Sequence, residues 1–173
     1  VDGSSGITDG QGTSAKFNNP TCIDVSSDGT FAIITDFTSK LIRRMEIPSH
    51  VVSTIAGKSG VSAFTNGVGS SATFNNPRGV AISPDRTFAL IVDTSHNAIR
   101  KIILSTGDVT TFAGQSSSGN VNDIGTNAKF NLPYMVDISS DGSYALVTDY
   151  SNSAIRKIII TSQVVSTLAT VIG

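Results

Sequence analysis

Apolar residues fall in short runs along the chain, separated by polar segments that contain glycine, proline, asparagine or aspartate. In the middle third of the chain the runs cover residues 79–82, 88–92, 98–104 and 109–112, and Val, Ile, Phe and Thr dominate them. No window sustains the period of about 3.6 residues of an amphipathic helix, whereas β-branched and aromatic residues favour strands. The pattern therefore predicts four β-strands joined by tight turns.

The same arrangement recurs three times. It is marked by "AKFNNP" at residues 15–20, "ATFNNP" at 72–77 and "AKFNLP" at 128–133, whose phenylalanines are 57 and 56 residues apart. An aspartate follows each phenylalanine by 19 residues and an arginine by 26, which gives Asp36, Asp93, Asp149, Arg43, Arg100 and Arg156. Four strands repeated at such a period are typical of β-propeller blades. We predict an all-β protein with three four-stranded antiparallel blades, at residues 1–57, 58–114 and 115–173.

Turn residues support this division. Ser27-Asp28-Gly29 and Ser140-Asp141-Gly142 combine an aspartate that can bond to nearby backbone with a glycine that tolerates positive φ. The equivalent Pro84-Asp85-Arg86 keeps the aspartate and lacks the glycine. We predict that each of these turns joins the first strand of a blade to the second.

The run "DGQGTSAKFNNPTCIDVSSDGTFAIITD" at residues 9–36, with "VVSTIAG" at 51–57 and "SNSAIRKI" at 151–158, resembles the NHL repeats of six-bladed β-propellers. The resemblance covers essentially the whole chain. It departs from the family pattern in the third strand, where the arginine follows the isoleucine. Membership of this family implies a rigid ring whose loops on one face, the top, hold ligands.

Three blades make half of a six-bladed ring, which leaves one apolar blade face uncovered at each end of the arc. Two arcs related by a two-fold axis would cover both faces at once. We therefore predict a homodimer that forms one six-bladed ring. The alternative is that the remaining blades lie in a longer parent polypeptide.

Composition and charge narrow the range of functions. The formal net charge of −1 and the pI near 6.1 do not favour a nucleic-acid-binding surface. No apolar run approaches the roughly 18 residues of a membrane span. The chain has two histidines, one cysteine and a single glutamate, Glu46, and it lacks a G-x-S-x-G motif, so we expect no enzyme activity, no catalytic residues and no cofactor. Asp24 and Asp137 recur in the first strand, but hydrogen-bonded aspartates explain them more simply than a calcium site does.

Positions that differ between the blades are the candidates for ligand specificity. The loop entering the first strand and the loop between the second and third strands should both lie on the top face. We predict ligand contacts by residues of these two loops, namely Arg78, Tyr134, Phe37, Tyr150 and His96. The aspartate and arginine present in every blade are instead expected to form structural ion pairs between blades.

These residues predict a non-catalytic binding or scaffold module that presents its top-face loops to a protein or peptide ligand. The first alternative is a propeller that binds single-stranded RNA, with Lys16, Lys40 and Lys129 beside the aromatic residues. The second is a metal-dependent lyase or hydrolase, although His50 and His96 are too few for a three-ligand zinc site in one chain.

Overall fold

The computed structural model describes residues 4–170, which form three antiparallel β-sheets. The first sheet contains β1 (Gly10–Gln11), β2 (Pro20–Val25), β3 (Phe31–Asp36), β4 (Leu41–Glu46) and β5 (Val51–Gly57). The second contains β6 (Gly67–Val68), β7 (Pro77–Ile82), β8 (Phe88–Asp93), β9 (Ala98–Ile103) and β10 (Asp108–Gly114). The third contains β11 (Pro133–Ile138), β12 (Tyr144–Asp149), β13 (Ala154–Ile159) and β14 (Val165–Thr170).

The helical segments described are short 3₁₀ turns at Gly12–Ser14, Gly69–Ser71, Thr94–His96, Gly125–Asn127 and Tyr150–Asn152. Within residues 4–170, no helix has the length and apolar character that crossing a membrane requires.

The four long strands of each sheet form a meander, in which neighbouring strands are also neighbours in sequence. The third sheet has the predicted four strands in the order β11-β12-β13-β14. The first two sheets have a fifth strand of two residues, because β1 pairs with β5 and β6 pairs with β10. In the third sheet the equivalent segment forms only the isolated bridge between Ile124 and Val164. The prediction of four strands in every blade was therefore wrong for the first two sheets.

The turns between first and second strands form as predicted. Gly29 and Gly142 have φ of 69° and 70°, and Arg86 takes the same left-handed conformation at 62° without the freedom of glycine. The aspartate of each turn accepts hydrogen bonds from the serine two residues before it, as Asp85 does from the Ser83 hydroxyl at 2.6 Å.

Apolar cores lie between adjacent sheets. One core joins residues such as Ile33 and Ile42 of the first sheet to Ile91 of the second. The other joins Leu90 of the second sheet to Val147 of the third. The second sheet is therefore covered on both faces, and β8 is buried along its whole length.

The two outward faces of the arc keep exposed apolar side chains. Ile23 and Val25 on β2 are 54% and 51% exposed, and Leu168 on β14 is 56% exposed. At the same repeat positions in the second sheet, Val80, Ile82 and Phe112 are buried against a neighbouring sheet.

The repeated aspartate and arginine form a buried ion pair in each sheet. Arg43, Arg100 and Arg156 donate to the Oδ2 atoms of Asp36, Asp93 and Asp149 at 3.4, 2.9 and 2.7 Å. Both partners of each pair belong to the same sheet, so the expectation of ion pairs between blades was wrong. The reason is that the second and third strands are antiparallel neighbours, which brings residues seven apart in sequence onto one face of a hairpin.

The first strands of the three sheets, β2, β7 and β11, lie side by side, and we call them the inner strands. β7 and β11 approach closely at Gly79. A Cβ atom added there would lie 2.8 Å from Met135 Cα and 2.9 Å from Val136 N. Glycine at this position therefore allows the close packing of β7 on β11.

Candidate ligand-binding site

Four of the five residues predicted to contact a ligand lie at one end of the sheets. Arg78 and Tyr134 are the second residues of the inner strands β7 and β11. Phe37 directly follows β3, and Tyr150 begins the 3₁₀ turn that follows β12. Since adjacent strands are antiparallel, inner strands begin at the same end at which second strands finish. This end is the top face predicted from the sequence.

The Arg78 guanidinium lies between two aromatic rings from the neighbouring sheets. Its Cζ atom is 4.5 Å from the centroid of the Phe37 ring and 4.4 Å from the centroid of the Tyr134 ring. Arg78 Nη1 also donates a hydrogen bond to Tyr134 Oη at 2.6 Å. Each such cation–π contact is worth about 0.5–1 kcal/mol when exposed and more when water is excluded. The stack therefore connects one residue from each of the three sheets.

Tyr150 extends this stack on the side of the third sheet. Its ring centroid is 6.0 Å from that of Tyr134, and the two ring planes are tilted by 47°. Tyr150 is 68% exposed and Tyr134 is 40% exposed, so both rings have surface free for a partner. We call Phe37, Arg78, Tyr134 and Tyr150 the top-face cluster.

Backbone hydrogen bonds hold the segments that carry the top-face cluster. The Thr35 hydroxyl donates to the carbonyl of Arg78, across the junction of the first two sheets. The amide of Phe37 donates to the Asn19 carbonyl at 3.2 Å. The turn that begins at Tyr150 is closed by the Ser153 amide, which donates to the Tyr150 carbonyl at 3.0 Å. The cluster is thus carried by backbone whose hydrogen bonds are made within the chain.

Arg78 has no acidic partner within residues 4–170. The ion pairs found there join other residues. The nearest repeat aspartates are buried and already paired with the arginine of their own sheet. The top-face cluster therefore carries a positive charge that no protein carboxylate in this part of the chain balances.

His96 is not in contact with the top-face cluster. Its Nδ1 is 3.0 Å from Asp93 Oδ2 and its Nε2 is 2.9 Å from the Ser62 carbonyl oxygen. In the third sheet Asn152 makes the same two kinds of contact, since its Nδ2 donates to Asp149 Oδ2 and to the Gly119 carbonyl, both at 2.8 Å. His96 is buried and ties its turn to the segment that enters the sheet.

A groove of about 440 Å³ runs along the inner strands, lined by residues that include Ile23, Val80, Met135, Asp24 and Asp137. Both carboxylate oxygens of Asp24 accept hydrogen bonds from backbone amides. Its Oδ1 accepts from the Val25 amide at 2.9 Å and its Oδ2 from the Ile82 amide at 2.7 Å. In the described part of the chain, no three His, Cys, Asp or Glu side chains are grouped so that they could hold a metal ion.

Two of the three lysines considered for RNA binding, Lys16 and Lys40, donate hydrogen bonds to serines of the loops. Lys16 Nζ donates to Ser4 Oγ at 2.5 Å, and Lys40 Nζ donates to Ser62 Oγ. Both serines belong to segments that enter a sheet. The cation in direct contact with the aromatic rings of the top-face cluster is Arg78.

Comparison with known proteins identifies relatives among NHL-repeat proteins. No protein-family model matches the chain. It is 25% identical over 163 residues to NHL repeat-containing protein 2 of Bos taurus and 24% identical over 163 residues to that of Homo sapiens. These alignments cover 88% and 89% of the chain but only 22% of each relative, so the chain spans about a fifth of their length.

A solved structure with the same fold is an auxiliary nutrient binding protein from Bacteroides thetaiotaomicron, with a TM-score of 0.70 and 24% sequence identity. The match covers 85% of this chain and 37% of that one. The predicted resemblance is confirmed by these findings: over most of its length the chain is similar to NHL-repeat proteins, and its sheets are consistent with β-propeller blades.

Proposed function

We propose that the chain is a non-catalytic binding module whose top-face cluster contacts a protein or peptide ligand. The observation that carries this proposal is the stack of Arg78 between Phe37 and Tyr134, with Tyr150 exposed beside it. Tyrosine and arginine are enriched among the residues that dominate binding energy at protein interfaces. A cluster of them on one exposed face is therefore suited to a partner rather than to the core.

The backbone around the cluster supports the same proposal. Phe37, Arg78 and Tyr150 lie at or directly beside strand ends, and their backbone groups are hydrogen-bonded. Association costs free energy for every side chain and loop that must become ordered. Loops already fixed to sheets lose little conformational entropy, so a small exposed cluster can supply useful affinity.

The expectation of no catalysis rests on the available side chains. A zinc site in a hydrolase or lyase uses at least three protein ligands. The chain contains only His50 and His96. Both ring nitrogens of His96 already contact protein oxygens. We therefore propose binding rather than a metal-dependent reaction.

A selection of displayed random peptides tests the proposed function. Peptides enriched on the wild-type chain are compared on two double variants, Arg78→Ala with Tyr150→Ala and Arg44→Ala with Tyr144→Ala. The control pair also removes an arginine packed on an aromatic ring, Phe31, and a partly exposed tyrosine, but lies outside the cluster. We expect the cluster variant to lose about 30-fold in affinity, the size of a hot-spot effect, and the control to keep it. Enriched peptides that bind the cluster variant as well as the wild type would refute the proposal.

We also propose that two copies of the chain complete one six-bladed ring. At the junction of the first two sheets, Thr35 donates to the Arg78 carbonyl and Asp24 accepts from the Ile82 amide. Thr148 and Asp137 occupy the same repeat positions in the third sheet, where both are exposed.

The second sheet has Val92 and Ala81 at these positions. The third sheet therefore carries the polar groups with which the first sheet holds the blade that follows it. Its outward face, which includes Leu168, is suited to a further blade. The exposed face of a second copy that includes Ile23 is also apolar and could pack against it.

A further inference from the structure

We propose that the top-face cluster recognises a carboxylate group of the ligand, bound at the free edge of the Arg78 guanidinium. This inference rests on the proposed function, because it names the chemical group that a peptide ligand presents to the cluster. Two sources of the group have the same chemistry, the C-terminus of a peptide and the side chain of an acidic residue.

Hydrogen-bond donors at one edge of the Arg78 guanidinium remain available to a ligand. The Cζ atom of the guanidinium lies over the Phe37 ring and over the Tyr134 ring. One N–H of Nη1 donates to Tyr134 Oη. The N–H groups of Nε and Nη2 have no acceptor within residues 4–170, and this edge presents two parallel donors. A planar carboxylate accepts such a pair of hydrogen bonds with both of its oxygens.

Tyr134 supplies a further donor. Its hydroxyl oxygen accepts from Arg78 Nη1, so its own hydrogen remains available. An anion next to the guanidinium can accept this hydrogen bond as well. Hydrogen bonds from a charged donor are roughly twice as strong as neutral ones.

The single positive charge of the top-face cluster favours one carboxylate over a nucleic-acid backbone. The top-face cluster contains one cation, and no acidic side chain within residues 4–170 pairs with it. Proteins that track single-stranded nucleic acid line a groove with many positive charges, and their affinity falls steeply with salt. A single arginine held in a fixed orientation is suited to one anionic group.

The side chains near Arg78 indicate which ligand group lies next to the carboxylate. Tyr150 offers an exposed ring beside Tyr134. The groove along the inner strands adds the exposed side chain of Met135. A ligand that places a carboxylate on Arg78 can therefore rest a neighbouring apolar side chain on these surfaces. Peptides that combine the two features are the predicted class of ligand.

The experiment compares three capped dipeptides on the 173-residue chain. N-acetyl-leucyl-phenylalanine carries a C-terminal carboxylate, its amide carries none, and N-acetyl-glutamyl-phenylalanine amide carries only a side-chain carboxylate. Affinities are measured from NMR shifts of the Arg78 Nε–H group and of the tyrosine rings. We expect at least one of the two acids to bind about tenfold or more tightly than the neutral amide, as for one charged hydrogen-bonded pair.

Variants assign this preference to residues. Arg78→Met should abolish the preference for the acids, and Tyr134→Phe should weaken binding of the acid without disturbing the Phe37 contact. Arg44→Met and Tyr144→Phe are matched controls, since Arg44 packs on Phe31 and Tyr144 packs under Lys157, outside the cluster. Both controls should keep the wild-type preference.

The outcomes separate the inference from the proposed function. If acids and amide bind the wild type equally and Tyr150→Ala weakens both, the carboxylate inference fails and the binding module stands. If ten-uridine RNA binds more tightly than either acid and Arg78→Met abolishes that binding, the carboxylate inference fails in favour of RNA. If no dipeptide shifts the cluster signals and the displayed-peptide selection is also negative, the proposed function fails with it.

Discussion

The arginine of each blade is a buried charge whose hydrogen bonds connect the blade to the segment that enters it. Arg100 Nη1 donates to Asp93 Oδ2 at 2.9 Å and to the Thr73 carbonyl at 3.1 Å. Its Nη2 donates to the Thr65 carbonyl and to Asn66 Oδ1, both at 2.8 Å. Burial lowers the pKa of Arg100, and the Asp93 carboxylate opposes that shift. Because an unpaired buried charge is costly, these contacts explain why both residues recur in every blade.

The exposed turn aspartates make stability depend on acidic pH. Asp141 Oδ1 accepts from the Ser139 hydroxyl at 2.6 Å and from the Ser143 amide and hydroxyl at 3.0 and 2.8 Å. These hydrogen bonds, that of Ser139 first, lower the pKa of Asp141 to about 2. A carboxylate with a lowered folded-state pKa stabilises the protein above its unfolded pKa of about 3.9, and this contribution disappears as the pH falls through the folded pKa. We expect the urea midpoint of Asp141→Asn to fall less than that of the wild type between about pH 4 and pH 2.

Asp108→Asn is the matched control for this prediction. Asp108 begins β10, and its carboxylate accepts no hydrogen bond within residues 4–170. This control should keep the wild-type dependence on pH. An Asp141→Asn variant whose midpoint falls as steeply as that of the wild type would show that the turn hydrogen bonds do not contribute.

At the scale of elements, sequence patterns predict the long strands and miss the short ones. The runs 88–92 and 98–104 correspond to β8 (Phe88–Asp93) and β9 (Ala98–Ile103). A strand of this length has enough alternating or apolar positions to be recognised. β1 (Gly10–Gln11) and β6 (Gly67–Val68) are two residues long and begin with glycine, so they carry no such pattern. They form because the entering segment is held beside the outer strand.

The position of the candidate site can be predicted from the sequence, but the contacts between its side chains cannot. The repeat places Arg78 and Tyr134 at the same end of neighbouring blades, and this is visible in the sequence. The stacking of Arg78 between two rings depends on the distance between sheets, which spacing along the chain does not define. The sequence alone also does not show that His96 is buried. Asn152 at the matching position of the third repeat indicated a structural role, because an amide can make the same two contacts.

Gly79 allows a prediction about how inner strands pack. An added Cβ would lie 2.8 Å from Met135 Cα and 2.9 Å from Val136 N, and backbone atoms of a sheet cannot move aside singly. We expect Gly79→Ala to reduce the free energy of unfolding by about 1 to 3 kcal/mol, the usual cost of overpacking. Urea unfolding measures the change.

Gly119→Ala is the matched control for the Gly79 variant. Its added Cβ would lie 2.9 Å from Lys129 Cδ and 3.1 Å from Lys129 Cβ, atoms of one side chain whose outer part can move away. We expect a change of less than about 1 kcal/mol. A Gly79→Ala variant as stable as both the wild type and Gly119→Ala would mean that β7 and β11 separate without cost.

The two ends of the whole arc each expose apolar side chains, from different strands. The outward face of the first sheet exposes Ile23 and Val25, and that of the third sheet exposes Ile155 and Leu168. Inside the arc the equivalent positions form the cores between sheets. Contact between the two outward faces would therefore repeat a junction that the chain already contains twice. In the proposed ring, a two-fold axis would make that contact at both ends at once and would place two top-face clusters around one channel.

Light scattering over a concentration series tests this ring. We expect a species near twice 17.9 kDa for the wild type. Leu168→Asp should dissociate it, because a carboxylate would be buried without a partner at the new junction. Val68→Asp is the matched control: Val68 is 57% exposed but lies on β6, the outer edge strand of the middle sheet, so this variant should stay dimeric. A folded wild type that stays near 17.9 kDa at every concentration would refute the two-fold ring, and the bare faces would then be sites for blades of another polypeptide segment.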